Sequence, residues 1–127
     1  MILKLDLSSE TPIYLQIRNQ IVLGIGQGQL RAGEGLPTVR QLAEDIGVNT
    51  MTVNKAYSLL KGEGYIEIDR RKGAVVKPRS SPGGLDEDFK QRLSLLAAEA
   101  AAKGVPREQF LEACREAAAV MNPKGVE

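Results

Sequence analysis

The chain has no histidine and no tryptophan, one cysteine (Cys114), and only two phenylalanines and three tyrosines in 127 residues. Each shortage removes a class of function. Without histidine, general acid–base chemistry falls to carboxylates or a lysine, and the acidic residues are scattered over predicted helix surfaces. No cysteine and carboxylates group at metal-ligand spacing. A single cysteine excludes an internal disulfide framework and suits a reducing cytoplasm; Cys114 itself lies on an apolar stripe and reads as a small core residue. So few aromatic side chains argue against a surface on which RNA bases stack. No apolar run approaches the roughly 20 residues of a membrane helix, and the Met1-Ile2-Leu3-Lys4 start lacks the basic-then-apolar form of a secretory signal. The expectation is a cytoplasmic protein that is not an enzyme, needs no cofactor or metal and has no membrane partner.

Charge of either sign is also nearly cancelled, with 17 Lys and Arg against 16 Asp and Glu. The balance is uneven along the chain. Residues 1–79 hold 11 basic and 8 acidic side chains, whereas residues 80–127 hold 6 and 8. Arg70, Arg71, Lys72, Lys77 and Arg79 concentrate the excess in one short stretch. A basic footprint this light predicts few phosphate contacts per subunit, so tight binding to nucleic acid requires two subunits.

Leu36 to Tyr65 reads as two helices joined by a tight turn. Thr38 opens the first, with Gln41 three residues on completing a capping box. Val39, Leu42, Ala43 and Ile46 give it one apolar face, and Gly47 can stop it in the left-handed conformation. Asn49 is the N-cap of the second, where Val53, Ala56, Tyr57 and Leu60 point inward. Thr50, Met51, Asn54, Lys55, Ser58 and Lys61 remain outside. Over three turns that outer face has no carboxylate, and it offers hydroxyls, an amide and an ammonium group, the groups that bond phosphates and base edges. A helix over Asn49–Lys61 is roughly 16–18 Å long at 1.5 Å per residue and fits a major groove. A helix-turn-helix follows, with that helix as the reader. The bland alternative is a helical hairpin whose polar face meets water.

Beyond it, Tyr65–Asp69 alternates apolar and polar like a half-buried strand, Arg70–Gly73 is a turn, and Ala74–Lys77 resembles a return strand. Three cations at a hairpin tip repel one another unless an anion lies close, although a solvated turn is the commoner case. A hairpin directly after a reading helix is a wing. Upstream, Gly24, Gly26 and Gly28 superficially suggest a phosphate loop, but they follow a helix and no GK[ST] comes after; they read as a frayed helix end and a hinge.

At this point the chain, from about residue 6 to residue 79, resembles the winged-helix domain of the GntR transcription regulators, and is most similar to their short YtrA subfamily. The resemblance rests on TPIYLQI (Thr11–Ile17), LPTVRQLAEDIGVN (Leu36–Asn49), MTVNKAYSLLKGEGYI (Met51–Ile66) and RKGAVV (Arg71–Val76). It implies an N-terminal helix with Pro12 at its first position and Tyr14, Ile17, Ile21 and Ile25 facing the core. It further implies that Thr38 binds a phosphate and that Arg40 reads a guanine. Thr50, Met51, Thr52 and Asn54, after Asn49, occupy reading positions, and Lys55 and Tyr57 touch the DNA backbone, although Tyr57 equally suits the core. Arg70, Arg71, Lys72 and Gly73 form the wing tip. Val39 stands where relatives usually have glutamate, and Arg71 where many have the first of two wing glycines.

Pro78-Arg79-Ser80-Ser81-Pro82-Gly83-Gly84 is a linker by composition. After it Asp86, Glu87 and Asp88 crowd a helix start, as the helix dipole favours. Phe89, Leu93, Leu96, Ala97 and Ala100 recur at helical spacing up to Gly104. A second helix opens at Pro106 and carries Phe110, Cys114, Ala117 and Met121 before Asn122-Pro123. Two such helices cannot bury their own apolar faces. Phe89, Leu93, Leu96, Phe110, Cys114 and Met121 are therefore assigned to a homodimer interface, the alternative being a tail packed on its own domain. A small-molecule effector, if there is one, belongs at that interface, since two helices enclose no cavity of ordinary ligand volume.

The sequence is thus read as mainly α with a small β-hairpin (α+β). A winged helix-turn-helix over 1–79 is followed by a linker and two-helix dimerisation or effector segment over 80–127. Its expected function is that of a transcription regulator, a repressor by preference, acting as a homodimer on palindromic double-stranded operator DNA. The competing reading is a winged helix that contacts protein without reading DNA.

Overall fold

In the computed structural model, which describes residues 3–79 and 83–121, Pro12 precedes the first helix, α1 (Ile13–Gly26). The proline is the cap, with φ −55° and ψ 147°, one place earlier than its expected position inside the helix. Two glutamines one turn apart on α1 hold the N-terminal segment. Gln16 accepts from the Asp6 N–H at 2.8 Å and donates to the Asp6 carbonyl at 2.9 Å, while Gln20 exchanges the same pair of bonds with Lys4. The amides thereby serve the extended backbone as a neighbouring strand would.

Helix α2 (Val39–Ile46) starts at Thr38, whose Oγ1 accepts from the Gln41 N–H at 3.0 Å. Only half of the expected capping box forms. The Gln41 side chain runs forward to Asp45 Oδ1 at 2.8 Å, one turn along the exposed face, in place of returning to the Thr38 N–H. Gly47, at φ 73°, ends α2 as predicted. Helix α3 (Thr50–Gly62) has Asn49 as its cap, the Oδ1 accepting from the Thr52 N–H at 2.8 Å and from the Thr52 hydroxyl at 3.0 Å. Gly62 remains helical; the chain turns at Gly64, with φ 86°.

Strands β1 (Ile66–Asp69) and β2 (Gly73–Val76) pair antiparallel, with Ile66 opposite Val76 and Asp69 opposite Gly73. A third segment joins the outer edge of β2. Gly35 bridges Val75, Gly33 N–H donates to the Val76 carbonyl at 2.8 Å, and Leu36 N–H donates to that of Ala74 at 2.8 Å. The wing root is thus covered on an edge that a two-stranded hairpin would leave bare.

The core lies where these elements meet, and Ile17, Ile21, Leu42, Val53, Leu60, Ile66 and Val76 are fully buried in it. Helix α3 packs on α1, α2 and β1, so its inward stripe is the hub. Tyr14 and Ile25, expected to face the core with Ile17 and Ile21, pack against its margin. Gly24 is buried in α1, and a Cβ there would lie 3.1 Å from Leu30 Cδ1. That glycine permits close packing, so the expected frayed end is an ordered helix through Gly26.

Residues 83–121 belong to a second compact unit. Asp86 caps helix α4 (Glu87–Ala102), accepting from the Phe89 N–H at 2.8 Å, and Gly104 at φ 80° leads to helix α5 (Arg107–Ala119). The two helices touch each other, yet neither contains a buried residue. No helix among the described residues is long and apolar enough to cross a membrane. The linker residues Ser80, Ser81 and Pro82 and the predicted stop at Asn122-Pro123 lie outside the described residues.

Candidate nucleic-acid interface

The inward stripe of α3 decides which of its side chains face outward. Val53, Ala56, Tyr57 and Leu60 are buried, which leaves Thr50, Met51, Asn54, Lys55, Ser58 and Lys61 exposed, with Met51 79% accessible in the first turn. Thr52 is half-buried, its hydroxyl held by Asn49. A cleft of about 260 Å³ joins this face to its neighbours. Thr38 and Val39 of α2 line one side, Asn54, Ser58 and Lys61 the floor, and Ile66, Ile68 and Ala74 of the wing the other side. The first turn of α2, the outer face of α3 and the wing therefore share one surface. Arg40 is exposed beside Val39 at the start of α2.

The wing tip is shaped by an acidic side chain. Asp69 Oδ1 accepts from the Arg71 N–H at 2.7 Å and the Lys72 N–H at 3.0 Å, and these bonds hold its carboxyl below the usual carboxylate range. Gly73, at φ 81°, supplies the left-handed residue of the turn, and no residue other than glycine has positive φ among those described. Arg71 consequently needs no glycine-like conformation at the place where relatives often have glycine. Arg70, Arg71, Lys72 and Gly73 are all exposed.

The cations of this surface, like Lys4, Arg31, Lys77, Arg79, Lys103 and Arg107 elsewhere, stand outside the ion pairs of the described residues. Among the described residues the ion pairs are Arg18–Glu63, Lys90–Glu87, Arg92–Asp88 and Arg115–Glu112. None involves Arg40, Lys55, Lys61, Arg70, Arg71 or Lys72. Six cations thus face solvent outside these ion pairs, although Asp69 lies close enough to Lys72 to feel its charge, and such a surface favours an anionic partner.

Tyr57 is placed differently from the other expected contacts. It is 6% exposed, and its hydroxyl donates to the Pro37 carbonyl at 2.7 Å. Burial pushes its pKa up to about 12. The side chain ties α3 to the residue just ahead of the Thr38 cap, and so fixes the start of α2 over α3. Tyr57→Phe removes the donor and leaves a part-buried carbonyl unpartnered, which is expected to cost about 1–3 kcal/mol of stability. Urea unfolding measures this; an unchanged midpoint would show that water replaces the hydroxyl.

Two further contributors escaped the sequence reading. Ile68 is 58% exposed on the wing side of the cleft, although strand alternation placed it inward with Ile66. Tyr14, assigned to the core, sits beside the start of α3, where with Asn49, Met51, Thr52 and Lys55 it lines a shallow depression. Its place two residues after Pro12, in the first turn of α1, was the available signal.

Comparison with known proteins matches residues 13–76 to the family described as "Bacterial regulatory proteins, gntR family". The chain is 35% identical over 120 residues to the HTH-type transcriptional repressor YtrA of Bacillus subtilis (strain 168), covering 92% of each. The structure of a transcriptional antiterminator from Listeria monocytogenes EGD-e superposes with TM-score 0.85 at 25% identity, over 100% of this chain and 98% of that one. YtrA from Sulfolobus acidocaldarius, a GntR-family transcription factor, gives TM-score 0.67 at 40% identity over 80% of this chain and 99% of its own. The AraR DNA-binding domain in complex with operator ORX1 gives 0.51 at 29% identity over 58% and 92%. The five helices and antiparallel hairpin are those of the winged-helix fold.

Proposed function

Because this chain belongs to the gntR family of bacterial regulatory proteins, we propose that it is a cytoplasmic, sequence-specific transcriptional repressor that binds a palindromic operator as a homodimer. In this reading α3 of each subunit enters a major groove, with Arg40 and the Arg70–Gly73 tip flanking it. Thr38, Asn49, Thr50, Met51, Thr52, Asn54 and Lys55 complete the contact surface. Two-fold symmetry of the protein imposes approximate symmetry on the site. The segment 80–127 supplies the subunit contact, and an effector would bind at that contact. The observation that carries the reading is a surface shared by α2, α3 and the wing, with a cleft whose lining holds no carboxylate and six cations outside the ion pairs of the described residues. The similar AraR DNA-binding domain, solved in complex with operator ORX1, supports it from outside.

The test is fluorescence anisotropy of labelled DNA from the promoter of the protein's own operon against a scrambled duplex, over a salt series. Preference for the promoter, with a steep salt slope, is the expected result. Lys72→Ala should weaken both duplexes alike and flatten the slope by about 0.9 for each phosphate that the lysine neutralises. Binding to neither duplex at low salt would overturn the reading and redirect the search to a protein partner.

A further inference from the structure

Three cations lie over aromatic rings among the described residues: Arg18 over Tyr65, Arg92 over Phe89 and Lys55 over Tyr14. Arg18 and Arg92 are also paired with carboxylates, Glu63 and Asp88. Among the described residues Lys55 is in no ion pair, and its Nζ lies 4.0 Å from the Tyr14 centroid. The distinction has a physical consequence. A carboxylate orders a lysine and cancels its charge; an aromatic face orders it and leaves the charge whole. The four-carbon stem of a free lysine samples many rotamers, which must be given up when the ammonium meets a fixed anion.

Tyr14 is well suited to that task. It stands in the first turn of α1, its ring half-buried against the core, and α1 packs directly on α3. The ring is therefore a fixed platform, and Lys55 reaches it from the exposed face of α3. From this geometry we infer that Tyr14 is a positioning residue of the DNA interface. It holds the Lys55 ammonium, ordered and uncancelled, for one backbone phosphate on the α1 side of the reading helix. Helix α1 then takes part in docking without contacting a base. The inference rests on the DNA-binding reading above.

A double-mutant cycle on the full chain tests it, with promoter and scrambled duplexes over a salt series. Tyr14→Leu should weaken binding about 2- to 5-fold, the range for a partly exposed cation–ring contact. Tyr14→Phe should restore it. Lys55→Met should flatten the salt slope by about 0.9, the value for one phosphate. In the Lys55→Met background Tyr14→Leu should have no further effect. A loss of equal size in both backgrounds would make Tyr14 a structural residue only and overturn the inference. Failure of the unsubstituted protein to bind either duplex would overturn the DNA reading and this inference together. Should Tyr14→Leu not fold, proton NMR of the unsubstituted protein decides: the Lys55 ε-methylene signals should lie upfield through the ring current, and unshifted signals would refute the contact.

Discussion

Leu93→Asp together with Leu96→Asp is expected to convert the protein to a monomer and to weaken operator binding by about 10²–10⁴-fold, the range by which a second linked contact raises affinity. Phe89, Leu93 and Leu96 follow one another at helical spacing on α4, and all three are exposed in the single chain, Leu96 at 55%. On α5, Phe110 and Cys114 are half-buried, and Met121 beyond it is exposed. Helices α4 and α5 touch, but no side chain of either is buried. Leaving such a stripe in water forgoes about 25 cal/mol for each Å² of apolar surface that a partner would cover. Alanines at 97, 98, 100, 101 and 102 keep much of the α4 surface low, which allows a second helix to approach closely. Two aspartates facing their own symmetry mates would be both desolvated and mutually repelled. Sedimentation equilibrium gives the subunit count and anisotropy the affinity, and the salt slope should fall to about half because a monomer neutralises the phosphates of one half-site only. A double variant that remains dimeric and binds tightly would remove α4 from the interface. A monomeric unsubstituted protein would remove the homodimer altogether.

The parts of the fold that were readable were those written in local chemistry. Thr38, Gly47, Asn49 and Asp86 each act within three or four residues of themselves, and each caps or stops a helix as its type predicts. The inward stripe of α3 was legible because four apolar residues repeat at 3.6-residue spacing, and all four are buried. What could not be read depends on chain segments distant in sequence. Residues 33–36 pair with β2, but Gly33-Glu34-Gly35-Leu36 carries no strand alternation, and only the proximity of the wing makes the pairing. Ile68 obeys the alternation and is still exposed, because the hairpin extends past the core that buries Ile66. Gly24 has the sequence character of a break, and only the packing of Leu30 against it makes it a helical residue of close approach. For the candidate interface, residue type picked out the exposed polar face of α3 and the cationic tip, whereas the burial of Tyr57 and the meeting of Tyr14 with Lys55 required the packing of α1 and α2 on α3.

Arg40→Ala should weaken promoter binding by about 1–3 kcal/mol, the discrimination carried by one bidentate pair, and should abolish preference at one base pair in each half-site. The side chain lies in the first turn of α2, is exposed, and forms no ion pair among the described residues. Its backbone is well fixed. Thr38 caps the turn from below, and Tyr57 clamps the Pro37 carbonyl just ahead of it. A long side chain on a rigid base, adjacent to the cleft beside α3, can present a planar fork to the O6 and N7 of guanine. Arg40→Lys separates geometry from charge. It keeps the cation, so the salt slope should hold, but a lysine cannot bond both acceptors in one plane, so the base preference should vanish nearly as fully as with alanine. Binding of a panel of operators substituted at each position, measured with all three proteins, reads both quantities. If Arg40→Lys retained discrimination while Arg40→Ala did not, a point charge would suffice and guanine readout by a guanidinium would be wrong. If Arg40→Ala weakened every operator equally, Arg40 would be a phosphate contact, and sequence selection would fall to the exposed turn of α3 that carries Thr50, Met51 and Asn54.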